Sequence, residues 1–441
     1  MNASRTDRTN RGQSAVRRIF AGLGMVLGGK AGAGLLSLGY LVIALRALGP
    51  ADYGVLILVH GYVTAVCGIA EFPSWQAILR YGADAEHKGD PDRLVRLLRF
   101  GAKVELSGGL VAILVTAIFA PIVGPHLGWS KVAMALAIPY SLAVLGSIRS
   151  TPGGYLQLLN RFDLIGLHNL VAPGVRLVGA AIAALCGWGL EGFLITWLVA
   201  AIAEFAVLWA LGLWQAHLHI GADLFRPRPG SAVRENPGIW RFMIANNADV
   251  TFNELAGRLA PLIVGWVMGP AMAGMFSVAQ RGMVLISQPA QILGSTAYVE
   301  WAKLVAGGEG GAPLRRALIK VINYALLAAL PVAAAVALFP KTIVHILAGP
   351  AFAAAAPLMV VLVLARVIAL AGPPCSAALS AMGRPSWSMT ANLGANLIFL
   401  PALPFLLHAF GLSGAGVQAV AQAVATSVLL LALTWERSLV H

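Results

Sequence analysis

The chain has 441 residues, of which 59% are hydrophobic and only 11% charged, with 31 Lys and Arg against 18 Asp and Glu. Soluble domains carry about 25% charged residues; at a mean hydropathy of +0.79 this composition excludes a soluble globule, a disordered chain and a collagen-like repeat and points to an integral membrane protein. The net charge of +13 is read as basic cytoplasmic loops, with no nucleic acid partner.

A bilayer core takes about 20 apolar residues per helix. Such runs recur along the whole chain, cut by charge clusters or Gly/Pro turns. They predict twelve transmembrane helices, at 18–46, 53–79, 96–121, 130–157, 165–187, 190–217, 237–268, 270–302, 313–340, 342–372 (extending towards 382), 385–408 and 412–436. Arg17-Arg18-Ile19-Phe20 resembles a twin-arginine export signal, but the apolar run behind it continues to Leu48. A signal core is about 7–15 residues, so this segment is expected to remain as the first span. Cys67, Cys186 and Cys375 lie far apart in apolar runs, which argues against a disulfide framework. His217 and His219 stand two apart, on different helix faces, and no metal site or cofactor is expected.

Orientation follows from the basic residues. With odd spans running outward, 22 Lys and Arg fall in inside regions and three (Arg46, Lys131 and Lys341) in outside turns. Cytoplasmic loops are enriched in Lys and Arg, so both termini are expected in the cytoplasm of an inner-membrane protein.

The sequence also repeats. Gly49-Pro50-Ala51-Asp52-Tyr53-Gly54 precedes span 2, and Gly269-Pro270-Ala271-Met272-Ala273-Gly274 precedes span 8, an offset of 220 residues. Asn160-Arg161 with Asn169-Leu170 matches Gly383-Arg384 with Asn392-Leu393 at an offset of 223. Six spans per half gives both halves one orientation, related by an axis along the membrane normal. The expected fold is therefore all-α and polytopic, in two pseudo-symmetric six-helix lobes: 1–217, a cytoplasmic linker at 218–236, and 237–441.

Leu48-Gly49-Pro50-x-x-Tyr53-Gly54, followed after one helix by Arg80-Tyr81-Gly82, resembles the opening of the polysaccharide transporter family. These are the oligosaccharide (O-antigen type) flippases of the multidrug/oligosaccharidyl-lipid/polysaccharide exporter superfamily. Met268-Gly269-Pro270-x-x-x-Gly274 resembles the second-lobe counterpart. The resemblance implies alternating access and a polyprenyl-diphosphate-linked oligosaccharide as substrate, handed to polysaccharide assembly machinery. In lipid II flippases of that superfamily the functional cations lie on helices 1, 2 and 8. Here Lys30 and Arg281 fall on spans 1 and 8, but span 2 carries Glu71 instead, which favours a surface polysaccharide over a peptidoglycan precursor.

Ionisable groups at bilayer depth are costly and are functional candidates by default. The deep set is Lys30, Arg176, Arg258, Arg281 and Arg366 against Glu204, Asp249 and Glu254. The cations are the substrate-binding candidates, because Arg offers planar, bidentate donors to phosphate oxygens. Span 7 carries Asn246, Asp249 and Asn253 on one stripe and Asn247, Thr251, Glu254 and Arg258 on the next; Asp249 and Glu254 are the candidate site for a coupling ion, H+ or Na+. On span 8, Ser277, Arg281, Gln288, Gln291 and Ser295 share one helical face, with no acid on that stripe until Glu300. Arg281 is thus the first candidate for a cation facing a wet cavity, with Gln288 and Gln291 beside it. Gln418, Gln422 and Thr426 on span 12 read as helix–helix hydrogen bonding.

Two other functions compete. A cation-coupled drug antiporter of the multidrug-extrusion branch would use Asp249 and Glu254. A membrane glycan polymerase or ligase would need a large outer loop, yet every outer turn spans only about ten residues, and no P-loop, G-x-S-x-G or H-E-x-x-H pattern is present.

The topology is directly testable. In a background lacking Cys67, Cys186 and Cys375, a cysteine at Asp90 should resist impermeant maleimide in whole cells, and one at Lys341 should label. The opposite pattern contradicts the orientation.

Overall fold

The computed structural model describes residues 3–70, 74–221, 229–284, 301, 304 and 311–437, with side chains within 28–69, 74–221, 229–244, 257–284, 301, 304, 311–384 and 386–436. Among these residues every element is helical, and nine helices are long and apolar enough to cross a bilayer. A bilayer interior offers no water to unpaired backbone groups, so helices that satisfy their own N–H and C=O groups are the expected solution. The chain divides into two compact units, one of residues 1–47, 62–123 and 131–251 and the other of 48–61, 124–130 and 252–441.

In the first unit, span 1 runs from Ala3 to a break at Gly49 (φ 67°, ψ −178°). Span 2 then starts at Pro50 and ends at Ala70 rather than at 79. Pro73 lies just beyond it, and the next helix, Trp75–His87, is separate and amphipathic. It buries Ala77, Ile78, Gly82 and Ala85, with Ile78 and Ala85 in a core shared with Leu94, Leu98, Tyr155 and Ala216. Span 3 starts at Pro91, a turn earlier than the apolar run suggested, and continues to His126. Asp90 explains the early start: its Oδ1 accepts the backbone N–H of Arg93 at 2.9 Å, an N-cap followed by proline at the first helical position.

Span 4 is not continuous. An α-helix over Lys131–Tyr140 passes into a 3-10 segment, Ser141–Ser147, and restarts as Ser150–Leu158. Span 5 is Phe162–Leu185, divided at Asn169-Leu170 into Phe162–His168 and Val171–Leu185. Span 6 is Gly189–Ile220, closed by Gly221 at φ 83°. Spans 1 and 5 touch through small residues. A Cβ on Gly29 would collide with the backbone of Gly166, and those on Gly32 and Gly39 would press on Leu170 and Leu177.

Span 7 is the helix Ile239–Met268; a helix resumes at 270 and is described through 284. In the second unit span 9 is Ala312–Leu338. The expected start of span 10 at 342 moves to 350: Pro340–Ala348 is a separate short helix ended by Gly349 (φ 83°), and the membrane-length run is Pro350–Ala381. Gly349-Pro350 is thus a third Gly-Pro break. Spans 11 and 12 are Pro385–Phe410 and Ser413–Arg437, joined by a hydrogen bond from Gln422 to Asn396 at 2.6 Å, with Gln418 donating to Gln422 at 2.7 Å.

The two repeat turns meet inside the second unit. A Cβ on Gly54 would overlap the Pro270 carbonyl, and one on Gly274 would lie 2.6 Å from the Pro50 carbonyl oxygen. Gly49 and Gly269 both hold positive φ, 67° and 86°, where L side chains are strained. Tyr53 is fully buried and packs edge-on against Phe352, ring centroids 6.1 Å apart.

Gly54→Leu and Gly274→Leu should each cut the yield of folded protein in detergent several-fold, because an added side chain there displaces backbone. Gly34 faces open space, so Gly34→Ala should leave yield unchanged. Size-exclusion recovery of the three variants checks this; full recovery of both leucine variants contradicts it.

Candidate functional site

Two polar constructions occupy the membrane interior of the first unit. One is built around the break in span 4. At Ile148 the backbone leaves the helix (φ −80°, ψ 80°) and restarts at Ser150, so the new helix presents unpaired N–H groups at bilayer depth. Glu105 of span 3, 2% exposed, satisfies them: its carboxylate accepts the backbone N–H of Ser150 and, at 2.7 Å, that of Thr151. The Ile148 carbonyl accepts from Trp209 Nε1 at 2.9 Å. Arg149, at the break, pairs with Glu204 of span 6 at 3.2 Å, and the buried ring of His168 contacts the Glu204 carbonyl at 3.1 Å. In the apolar runs 96–121 and 130–157, Glu105 and Arg149 lie nine and eight residues from a span end, outside the deep set. The signal was Pro139 inside span 4 followed by Ser150-Thr151, a helix restart in need of an acceptor.

The second construction surrounds Arg176, in the middle of span 5. Its guanidinium carbon lies 4.8 Å from the centroid of Trp197 on span 6 and 5.8 Å from that of Tyr40 on span 1. These two rings meet edge-to-face at 6.1 Å. Arg176 Nε is sealed from solvent with no hydrogen-bond partner among the described residues.

The remaining candidates divide between the units. Lys30 is exposed on span 1. Arg258 and Arg281, in the second unit, are half-buried and both engaged with neighbouring groups, so Arg281 does not stand apart as its stripe alone suggests. Arg366, on span 10, has a buried Nε without a partner among the described residues. The Asp249, Glu254, Gln288 and Gln291 side chains lie outside the described residues, as does Glu71.

Between spans the first unit carries a clasp. Arg93 donates to Asn236 Oδ1 from Nη2 at 2.7 Å and to Asp84 at 2.6 Å, and Arg96 donates to Glu235 at 2.9 Å and to the Pro229 carbonyl. Arg80 stacks on Phe242 at 4.8 Å. Hydrogen bonds from Lys88 and then Arg93 hold the Asp84 carboxyl below its ordinary range. Its contribution is present above the unfolded value and is lost as pH falls through the lowered one; in a solvent-screened surface pair the group adds little.

Twelve predicted spans, two internal repeats and interior cations frame a multi-pass membrane protein, and solved structures share this fold. An inward-facing multidrug resistance MATE family transporter of the MOP superfamily superposes with a TM-score of 0.70 at 16% identity, over 92% of this chain and 94% of that one. A MOP superfamily transporter from Pyrococcus furiosus, described as having a binding pocket of reverse polarity, superposes at 0.65 and 16% identity, over 96% and 95%. Residues 43–357 match the polysaccharide biosynthesis protein family, and the chain belongs to that family. Inner membrane protein YghQ of Escherichia coli (strain K12) is 26% identical over 273 residues, 61% of this chain and 76% of that one.

The Glu105 cap is testable. Glu105→Ala leaves two buried N–H groups unpaired, at about 1–3 kcal/mol each, and should lower the melting temperature in detergent markedly. Glu105→Gln keeps one acceptor and turns an NH2 group towards the break, and should fall between Glu105→Ala and wild type. Unchanged melting in Glu105→Ala contradicts the capping role.

Proposed function

We propose that this protein flips a polyprenyl-diphosphate-linked oligosaccharide across the inner membrane for surface polysaccharide assembly, by alternating access and with both termini in the cytoplasm. Family membership supports the polysaccharide pathway, the Escherichia coli relative supports the inner membrane, and the fold is one that transporters use. The observation that carries the substrate class is the charge of the interior. Among the described residues, Lys30, Arg176 and Arg366 make no ion pair, while the deep acid Glu204 is neutralised by Arg149. An interior left cationic suits an anionic cargo, and a diphosphate crossing low dielectric needs compensating charge.

The antiporter reading draws on the multidrug transporters that share the fold and would place H+ or Na+ at Asp249 and Glu254. The same ion site would equally serve to energise flipping. Drug resistance on overexpression, with no change in surface polysaccharide, would favour it.

Deleting the gene and extracting lipids tests the proposal. Polyprenyl-diphosphate-linked oligosaccharide should accumulate on the cytoplasmic side and surface polysaccharide should fall. Complementation with Arg366→Gln should restore export poorly, and Arg366→Lys should restore part of it, because a point charge lacks the bidentate fork. Unchanged surface polysaccharide without lipid accumulation contradicts the reading.

A further inference from the structure

Arg176 is held in a manner that leaves its work unfinished. Span 5 is drawn against span 1 at Gly39, whose missing Cβ makes room for Leu177. It is drawn against span 6 at Gly179, where Thr196 occupies the space of a side chain. Arg176, Leu177 and Gly179 share about one helical turn, so the guanidinium sits where three spans converge. Tyr40 and Trp197, each buried, come from the two flanking spans. Their faces stabilise a cation electrostatically, and the guanidinium lies within reach of both.

Rings satisfy charge, not donors. A guanidinium carries five N–H groups in one plane, and neither ring supplies an in-plane oxygen acceptor to them. Nε is buried without a partner among the described residues, and no described carboxylate lies within ion-pair distance. Glu204, the deep acid of span 6, is committed to Arg149. The site has a cation held between two rings, and the buried Tyr140 hydroxyl, near enough to interact with Arg176 electrostatically, accepts no hydrogen bond from it.

We infer that Arg176, clamped by Tyr40 and Trp197 within the first unit, is an anion-binding site that takes a phosphate or diphosphate group through its in-plane N–H donors. Arginine is the side chain whose geometry matches such oxygens two at a time. Holding the side chain between two rings in advance reduces the freedom lost on binding. Arg176 would then be a cargo-contacting residue on span 5, a helix outside the set of 1, 2 and 8. The identity of the natural anion rests on the flippase reading; the existence of the site does not.

Trp197 is a built-in reporter. Purified full-length protein labelled with 5-fluorotryptophan is titrated with inorganic diphosphate, and the Trp197 fluorine resonance is assigned from Trp197→Phe. The resonance should shift saturably in wild type. Arg176→Gln should abolish the shift, or weaken apparent affinity at least about tenfold, which corresponds to about 1.4 kcal/mol. Arg176→Lys keeps the charge and should retain a weaker response. Melting temperatures establish that each variant is folded. If Arg176→Gln does not fold, the wild-type titration and Arg176→Lys still decide the matter.

A Trp197 resonance unmoved by diphosphate in folded wild type overturns the site, as does an equal shift in folded Arg176→Gln. The two proposals fail separately. A saturable shift in a protein whose deletion traps no polyprenyl-linked oligosaccharide would keep the anion site and remove the flippase reading. Trapped lipid with a silent Trp197 would do the reverse.

Discussion

Two backbone carbonyls, of Pro50 and Pro270, lie where side chains would begin on Gly274 and Gly54. This reciprocal approach is available only to glycine, and it joins the turn before span 2 to the turn before span 8. Each turn uses the same device: a glycine at positive φ ends one helix and a proline, fixed near helical φ, starts the next. Membrane helices lack a strong hydrophobic drive to associate and depend on close packing. A turn this tight therefore sets the approach of the spans it connects, and residues such as Tyr53 and Phe352 close around it.

Inside the bilayer the same economy governs polar groups. Breaking span 4 at Ile148 would strand backbone donors in hydrocarbon, and the structure tolerates the break because Glu105 reaches it from span 3. Arg149 then finds Glu204, and that pair removes this deep acid from other service. Among the described residues, what is left over is positive. The Arg176 cradle and the buried Nε of Arg366 are cations with donors to spare among the described residues. A cationic interior of this kind suits the phosphate-bearing cargo proposed for this chain.

The sequence carried the fold well because bilayer physics is written residue by residue in hydropathy. It carried the turns too, since Gly-Pro repeated at an offset of 220 leaves little else for those residues to do. Boundaries were less legible. Span 2 ended early because Trp75–His87 is apolar on one face only, and averaging hid that. Span 10 moved by eight residues because Pro340–Ala348 is an amphipathic helix of the same kind. The interior site was the least legible. Arg176 was visible as a deep cation, but Tyr40 and Trp197 come from spans 1 and 6, and no spacing links them to it. Glu105 lies nine residues into the apolar run 96–121 but fourteen into the helix that starts at Pro91, and no spacing announces the break in span 4 beside it.

The central claim is that a lipid-linked, diphosphate-bearing oligosaccharide crosses the membrane through this protein. The most direct measurement reconstitutes the purified protein into liposomes containing such a lipid in both leaflets and adds an impermeant glycosidase outside. Without protein only the outer-leaflet pool should be cleaved. With protein the inner pool should become accessible as well, and a folded Arg176→Gln variant should slow that second phase. Cleavage confined to the outer pool, under every ion gradient supplied, would contradict the account.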